Sequence, residues 1–279
     1  MPAAMAARRY NAFSAALRGS LTVHRMKSTR QDFPGAHGHV LAARLDAPDG
    51  AIRAYALFAH CFTCGKDVLA ARRIAQGLTE HGIAVLRFDF TGLGASEGEF
   101  AATNFSSNVA DLIAAADFMR ARHAAPQLLI GHSLGGAAVL AAAGQVPEAT
   151  AVVTLAAPSS PAYVTRMFSD HLEQIAEEGE ALVQLEGRPF HIRQQFVDDV
   201  ASRHSLKEQI AGLRRALLVM HAPNDTTVDV SNAMEILMTA KHPKSFVSLD
   251  DADHLLTGRD DAAYVANVIA AWSARYLNS

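Results

Sequence analysis

The sequence predicts an α/β fold: a mainly parallel sheet with helices on both faces and a small cap insertion. Three observations carry this. Short apolar runs alternate with segments of helical periodicity, the rhythm of a parallel sheet with crossover helices. The runs are apolar at nearly every position, as in strands covered on both faces. The rhythm lapses at Ala157-Pro158-Ser159-Ser160-Pro161 and returns at Ala216, so the more polar stretch between, about residues 158–212, reads as an insertion over the sheet. The 279 residues, half of them hydrophobic, supply a large core. Chains of this length and class are often one domain.

Residues 1–31 read as an N-terminal extension. Arg8, Arg9, Arg18, Arg25, Lys27 and Arg30 all precede Asp32, the first acidic residue. The Ala- and Arg-rich, acid-free start is like an organelle transit peptide, which makes a mitochondrial location the alternative to a cytoplasmic one. The plainer expectation is a disordered tail, or a true start at Met26. The extension lacks the continuous apolar segment of a secretory signal.

From there the elements come in order. Residues 39–46 are expected as a strand, Pro48-Asp49-Gly50 as a turn, and 54–59 as a buried strand. In residues 68–80, Val68, Leu69, Ala71, Ile74, Ala75 and Leu78 recur at the helical period, and His81-Gly82 ends the run. Residues 83–88 are a strand and 105–122 a helix, with Val109, Leu112, Ile113, Ala116 and Met119 on one face. A strand at 127–130, a helix at 137–143 and a strand at 151–155 come next. Within the insertion, 163–178 looks helical. Residues 181–185 and 189–192 form a hairpin around Glu186-Gly187-Arg188, and 194–200 and 206–211 are short helices. A strand at 216–220, a helix at 230–239, a strand at 245–249 and a helix at 262–276 complete the pattern.

Composition narrows the function. The formal net charge is −3, and no basic stripe stands out in the body of the chain, so a nucleic-acid footprint is not expected. No apolar run is long enough to cross a bilayer. The two cysteines, Cys61 and Cys64, are too few for a disulfide framework, and a reducing compartment is the default. Their C-x-x-C spacing allows a redox pair, but they read first as residues of the loop after the strand at 54–59.

The chemistry gathers on Gly131-His132-Ser133-Leu134-Gly135, a G-x-S-x-G sequence between an apolar strand and an apolar helix. That is the setting of a nucleophile elbow. The turn projects the Ser133 hydroxyl away from the sheet. Side chains at Gly131 and Gly135 would collide with the closing strand and helix. A serine hydroxyl needs a base in hydrogen-bond reach, and the base needs an orienting carboxylate. Asp225 lies just beyond the strand at 216–220, and His254 on the loop after the last strand. Ser133, Asp225 and His254 thus each come after an expected parallel strand, at the edge where ligands and reacting groups gather. Asp225 has an alternative as a cap of the next helix, and Asp229 is the second candidate acid. His132 is read as held within the elbow, His221 as lining the strand end and Asp253 as a loop group.

This order of Ser, Asp and His resembles the α/β-hydrolases over residues 37–277. The resemblance implies the backbone N–H of Leu134 as one oxyanion donor. His60-Cys61-Phe62 is similar to the family's H-G-x segment, with Cys61 in the glycine place, which makes the Phe62 N–H the other. Asp89-Phe90-Thr91-Gly92-Leu93-Gly94-Ala95-Ser96 resembles the family's D-x-x-G-x-G-x-S stretch, with Asp89 bonded to loop backbone. More narrowly, Phe58-Ala59-His60-Cys61-Phe62-Thr63-Cys64, Phe88-Asp89-Phe90-Thr91-Gly92-Leu93-Gly94 and Asn104-Phe105-Ser106-Ser107-Asn108 look like the hydrolase half of bacterial proteins that fuse an α/β-hydrolase to an OsmC-like domain. No peroxidase function is carried over. The expected activity is that of a serine hydrolase of a small ester or thioester, working through an acyl-enzyme without metal or organic cofactor. A peptidase or amidase, and a non-catalytic binding protein, are the alternatives. Ser133 at the nucleophile position argues against epoxide hydrolases and haloalkane dehalogenases, which use aspartate there. Tyr163, Met167, Phe168 and Phe190 are expected either to line an acyl pocket or to form the insertion's own core.

Overall fold

The computed structural model describes residues 26–202 and 205–277. Residues 1–25 of the expected extension lie outside the described residues. In chain order the elements are β1 (Met26–Arg30), β2 (Phe33–Pro34), β3 (Val40–Leu41), β4 (Ala43–Pro48), β5 (Ala54–Ala59), α1 (Leu69–Glu80), β6 (Ile83–Phe88), α2 (Phe105–Arg122), β7 (Leu128–His132) and α3 (Leu134–Ala142). They continue with β8 (Ala151–Leu155), α4 (Leu172–Glu178), β9 (Glu180–Leu185), β10 (Arg188–Arg193), α5 (Gln194–Ser202), α6 (Lys207–Ala211), β11 (Ala216–His221), α7 (Ser231–Thr239), β12 (Lys244–Ser248) and α8 (Arg259–Leu277).

Eight strands form one sheet in the order β1-β4-β6-β5-β7-β8-β11-β12. β4 runs antiparallel to both its neighbours, and every other pairing in the sheet is parallel. The strands are apolar throughout because each face meets a different core. Leu57, Leu129, Val152, Leu217 and Val219 point into the layer that holds α2 and α3. Phe58, Leu128, Ile130, Val153, Leu218 and Met220 point to the opposite layer, with α1 and α8. The period-two alternation is present, but both phases are buried. Since β5, β7, β8, β11 and β12 are parallel, their carboxyl ends share one edge of the sheet. Between β8 and β11 the chain leaves the sheet. It forms a 3-10 segment (Pro161–His171), α4, the β9–β10 hairpin, α5 and α6, whose buried side chains join the α2–α3 core.

Three expectations change. Met26–Arg30, expected as the end of the tail, is a strand paired with β4. Its sequence, MKSTR, has no apolar alternation. An edge strand is held by its backbone and needs none. The helix expected over 163–178 is a 3-10 segment that breaks at Phe168 (φ −140°, ψ 31°) before α4 begins. The break turns Phe168 inward, where it is buried against Phe196 at a ring separation of 6.3 Å. Finally, α3 starts directly after Ser133, so Gly135 and Gly136 lie inside the helix and not in a turn before it.

Candidate functional site

The elbow forms because Ser133 occupies a backbone conformation most side chains avoid, φ 53° and ψ −125°. Its N–H donates to Leu155 O at 2.8 Å, which ties the turn to β8. A Cβ at Gly131 would stand 2.2 Å from Gly135 O, and one at Gly135 would stand 2.4 Å from His60 O. The strand and helix therefore approach more closely than any side chain at these positions permits.

The structure brings Ser133, Asp225 and His254 together. His254 Nε2 lies 3.0 Å from Ser133 Oγ, so the hydroxyl can donate to the ring. His254 Nδ1 lies 2.7 Å from Asp225 Oδ2 and donates to it. The other carboxylate oxygen of Asp225 accepts from Thr227 N at 2.8 Å and Val228 N at 2.9 Å. These bonds leave the Asp225 side chain fully buried. Burial pushes its carboxyl up, but the bonds from His254, Val228 and Thr227 outweigh that and hold it below the usual carboxylate range. Asp229 takes the other place: it is exposed and accepts from Ser231 N at the start of α7. Asp253 accepts from Thr257 on its own loop.

Two histidines frame this group. His132 Nε2 donates to the backbone carbonyl of His254 at 2.7 Å. Burial, with His254 beside it, pushes the His132 pKa down to about 4. His221 Nε2 donates to Val228 O at 2.7 Å and so closes the loop that carries Asp225. The sequence presents both positions as local. The reach of His132 has no periodic or motif signal, because its partner lies on another loop, whereas the His221 bond closes within the loop after β11.

The loop after β5 carries Phe62. Cys61 O accepts from the His60 ring Nδ1 at 2.7 Å and from Cys64 N at 3.3 Å. A trans peptide points its C=O and N–H in opposite directions, so these bonds also orient the Phe62 N–H. Among the described residues, neither Phe62 N nor Leu134 N has an acceptor. Cys61 and Cys64 are joined by a disulfide, against the expectation of two reduced loop residues, and it closes a ring around Phe62 and Thr63. Asp89 anchors the loop's far end, accepting from Lys66 N at 2.5 Å, Lys66 Nζ at 2.7 Å and Ala95 N at 2.9 Å. Arg188, in the β9–β10 hairpin, donates to Thr63 O. The Phe62 ring packs on Phe100 and on Phe196 of α5.

A cavity of about 30 Å³ opens at Ser133, bounded by Phe62, Leu134, Tyr163, Met167 and Val228, with Arg166 as its one charged group. Tyr163 and Met167 thus face the site. Phe168 and Phe190 do not: the first is buried on Phe196, and the second packs on Phe100 at 4.8 Å.

The esterase domain of a Rhodothermus marinus protein has the same fold (TM-score 0.74) and is 49% identical, over 90% of this chain and all of that one. The chain belongs to the α/β-hydrolase family. A family model described as serine aminopeptidase, S33, matches residues 52–184 of this hydrolase. Est1E from Butyrivibrio proteoclasticus, solved with ferulic acid, shares the fold at TM-score 0.73 and 18% identity, over 89% of this hydrolase and all of that chain. Mouse alpha/beta hydrolase domain-containing protein 10 does so at TM-score 0.74 and 18% identity, over 88% and 99%. No protein of curated function matches the hydrolase in sequence. Among the described residues, no helix is long and apolar enough to cross a membrane.

Proposed function

We propose that the chain hydrolyses a small carboxylic ester or thioester through an acyl-enzyme. The observation that carries this is the continuous hydrogen-bonded path from Ser133 Oγ through the His254 ring to Asp225. In this reading Ser133 Oγ attacks the carbonyl carbon while His254 Nε2 takes its proton. Asp225 holds the imidazole and stabilises its charged form. The N–H groups of Phe62 and Leu134, which lack acceptors of their own, bind the oxyanion. His254 then gives its proton to the leaving alcohol or thiol. Water attacks the acyl-enzyme by the same route in reverse, and the freed acid leaves Ser133 as it began.

The aminopeptidase name of the matching family model favours a second reading, cleavage of a peptide from its amino end. That reaction needs a negative group to hold the peptide's α-ammonium. The charged side chain at the cavity is Arg166, which would repel it. The esterase reading is therefore preferred, and the 49% identical neighbour described as an esterase domain supports it.

The test is turnover of p-nitrophenyl esters of increasing acyl length and of an aminoacyl p-nitroanilide. The small cavity should favour acetate and butyrate over long acyl chains. Ser133→Ala should lose on the order of 10⁴-fold or more in kcat. Preferential cleavage of the anilide would establish the peptidase reading, and equal ester turnover by wild type and variant would remove Ser133 from the mechanism.

A further inference from the structure

A second cavity, of about 560 Å³, lies away from Ser133 and is lined by five arginines, Arg44, Arg72, Arg73, Arg87 and Arg259, with Asp67 the one acid among its walls. Its charge is not balanced from within. Arg87 is paired with the buried Asp46 at 2.6 Å, and it shares Asp67 with Lys66, each at 3.3 Å. That uses up the acid. Among the described residues, Arg44, Arg72, Arg73 and Arg259 have no carboxylate in ion-pair reach. Asp260 and Asp261 come after Arg259 in sequence but do not line the cavity.

Two of these four arginines are nonetheless held in place. Arg44 Nε donates to Ser28 Oγ at 3.0 Å, and Arg73 donates to the Thr257 carbonyl at 2.6 Å. Neutral acceptors fix the direction of a guanidinium without cancelling its charge, and each fork keeps further N–H donors free. α1 also begins at this cavity, with Leu69 in its wall, no side-chain cap and no acidic residue in its first turn, so its positive end adds to the field. Four unbalanced like charges around one space repel one another, and a multiply charged anion removes that repulsion. Fixed, forked donors match the oxygens of phosphoryl groups. The volume lies within the range of small-molecule sites.

We propose that this cavity binds a small molecule carrying a diphosphate or a comparable pair of phosphoryl groups. It is linked to the Phe62 loop: Arg87, in its wall, donates to the carbonyl of Lys66, the residue that Asp89 anchors. The phosphoryl groups can belong to the substrate's leaving group or to a free effector, and the two sources differ in kinetics.

The experiment is calorimetric titration of the full chain with inorganic pyrophosphate at low salt, using wild type, Arg72→Gln/Arg259→Gln and Ser133→Ala. Arg72 and Arg259 are exposed, so the double variant should fold. Binding should be saturable in wild type and in Ser133→Ala, about tenfold or more weaker in the double variant, and stronger than for sulfate. In parallel, pyrophosphate is added to turnover assays. A substrate-borne phosphate predicts competition against a diphosphate-bearing thioester with p-nitrophenyl acetate turnover unaffected. A free effector predicts changed p-nitrophenyl acetate turnover, absent in the double variant. No binding to wild type, equal binding to the double variant, or equal affinity for sulfate overturns the proposal. Because binding is read in Ser133→Ala, its failure is separate from any failure of the hydrolase mechanism.

Discussion

His132 stands beside Ser133 in the chain but acts through space on His254, whose carbonyl accepts its Nε2–H. The bond fixes the backbone of the loop that presents the base, so His132 is a positioning residue in the proposed mechanism. A net hydrogen bond is worth about 1 kcal/mol, and about 1.4 kcal/mol of misplacement is a tenfold change in rate. His132→Leu is therefore expected to lower kcat about tenfold with KM nearly unchanged, read on p-nitrophenyl acetate. An unchanged kcat would reduce His132 to a packing residue. The same contrast explains what is legible in the sequence at this scale. Ser133, Asp225 and His254 are readable because each comes after a strand of the same sheet, so order along the chain encodes nearness in space. The choice of Asp225 over Asp229 stays partly open in the sequence, since two acids four residues apart on one loop carry the same local signal. Only the pairing of Asp225 with His254 and of Asp229 with Ser231 N separates them. The tie from His132 to the His254 loop has no sequence signal, because the approach of those two loops is set by the sheet, while the tie from His221 stays within the loop after β11.

The loop from β5 to α1 is the element on which most contacts converge. Asp89 and Arg188 each bind it, the His60 ring bonds within it, and the Cys61–Cys64 disulfide closes it around Phe62. The disulfide narrows the conformations open to Phe62 N–H, while the bonds to Cys61 O hold the peptide plane on their own account. In the proposed mechanism the Phe62 N–H is an oxyanion donor; removing such a donor outright costs about 10²–10³ in kcat, and loosening it should cost less. Dithiothreitol treatment, or Cys61→Ser/Cys64→Ser, is expected to lower kcat roughly three- to tenfold, with KM little changed. The serine variant should then be blind to dithiothreitol. A wild type equally indifferent to the reductant would show that the hydrogen bonds alone hold the loop. The sequence identifies this loop by its place after a buried strand, and its C-x-x-C spacing allows a redox pair, but the cysteines read first as loop residues and the bond between them comes from the structure. Elsewhere the central strands are legible because both faces are buried, which leaves an unbroken apolar run. The edge strand β1 is not, since its pairing rests on backbone and on the Arg44–Ser28 bond, with no apolar alternation. Nor is the break at Phe168, because a 3-10 segment leading into an α-helix shows nearly the same apolar spacing as one longer helix.

At the scale of the whole molecule, buried histidines make stability depend on pH. His60, His132 and His221 are each pushed down from 6.5, in every case chiefly by burial. His221 Nδ1 is buried with no hydrogen-bond partner, so a second proton there would find no acceptor. Between the unfolded value near 6.5 and the folded value, the unfolded chain binds protons that the folded chain refuses. Stability is therefore full above about pH 6.5 and falls as the pH drops towards the folded values. For His132 the folded value is about 4. That difference corresponds to about 3 kcal/mol lost on acidification through this window. The depressed carboxyl of Asp225 has the same sign at still lower pH, since protonating it removes its bond with His254. Urea unfolding at pH 7.5 and pH 4.5 measures the effect. Wild type should lose several kcal/mol between the two, and His132→Leu should lose roughly 2–3 kcal/mol less, since pH 4.5 lies just above the folded value, even if it begins less stable at the higher pH. Parallel losses in the two proteins would mean that His132 does not titrate on unfolding. The acid sensitivity would then rest on His60, His221 and the carboxylates. The variant that tests the positioning of His254 thus also tests whether the residue beside Ser133 is kept neutral by the fold.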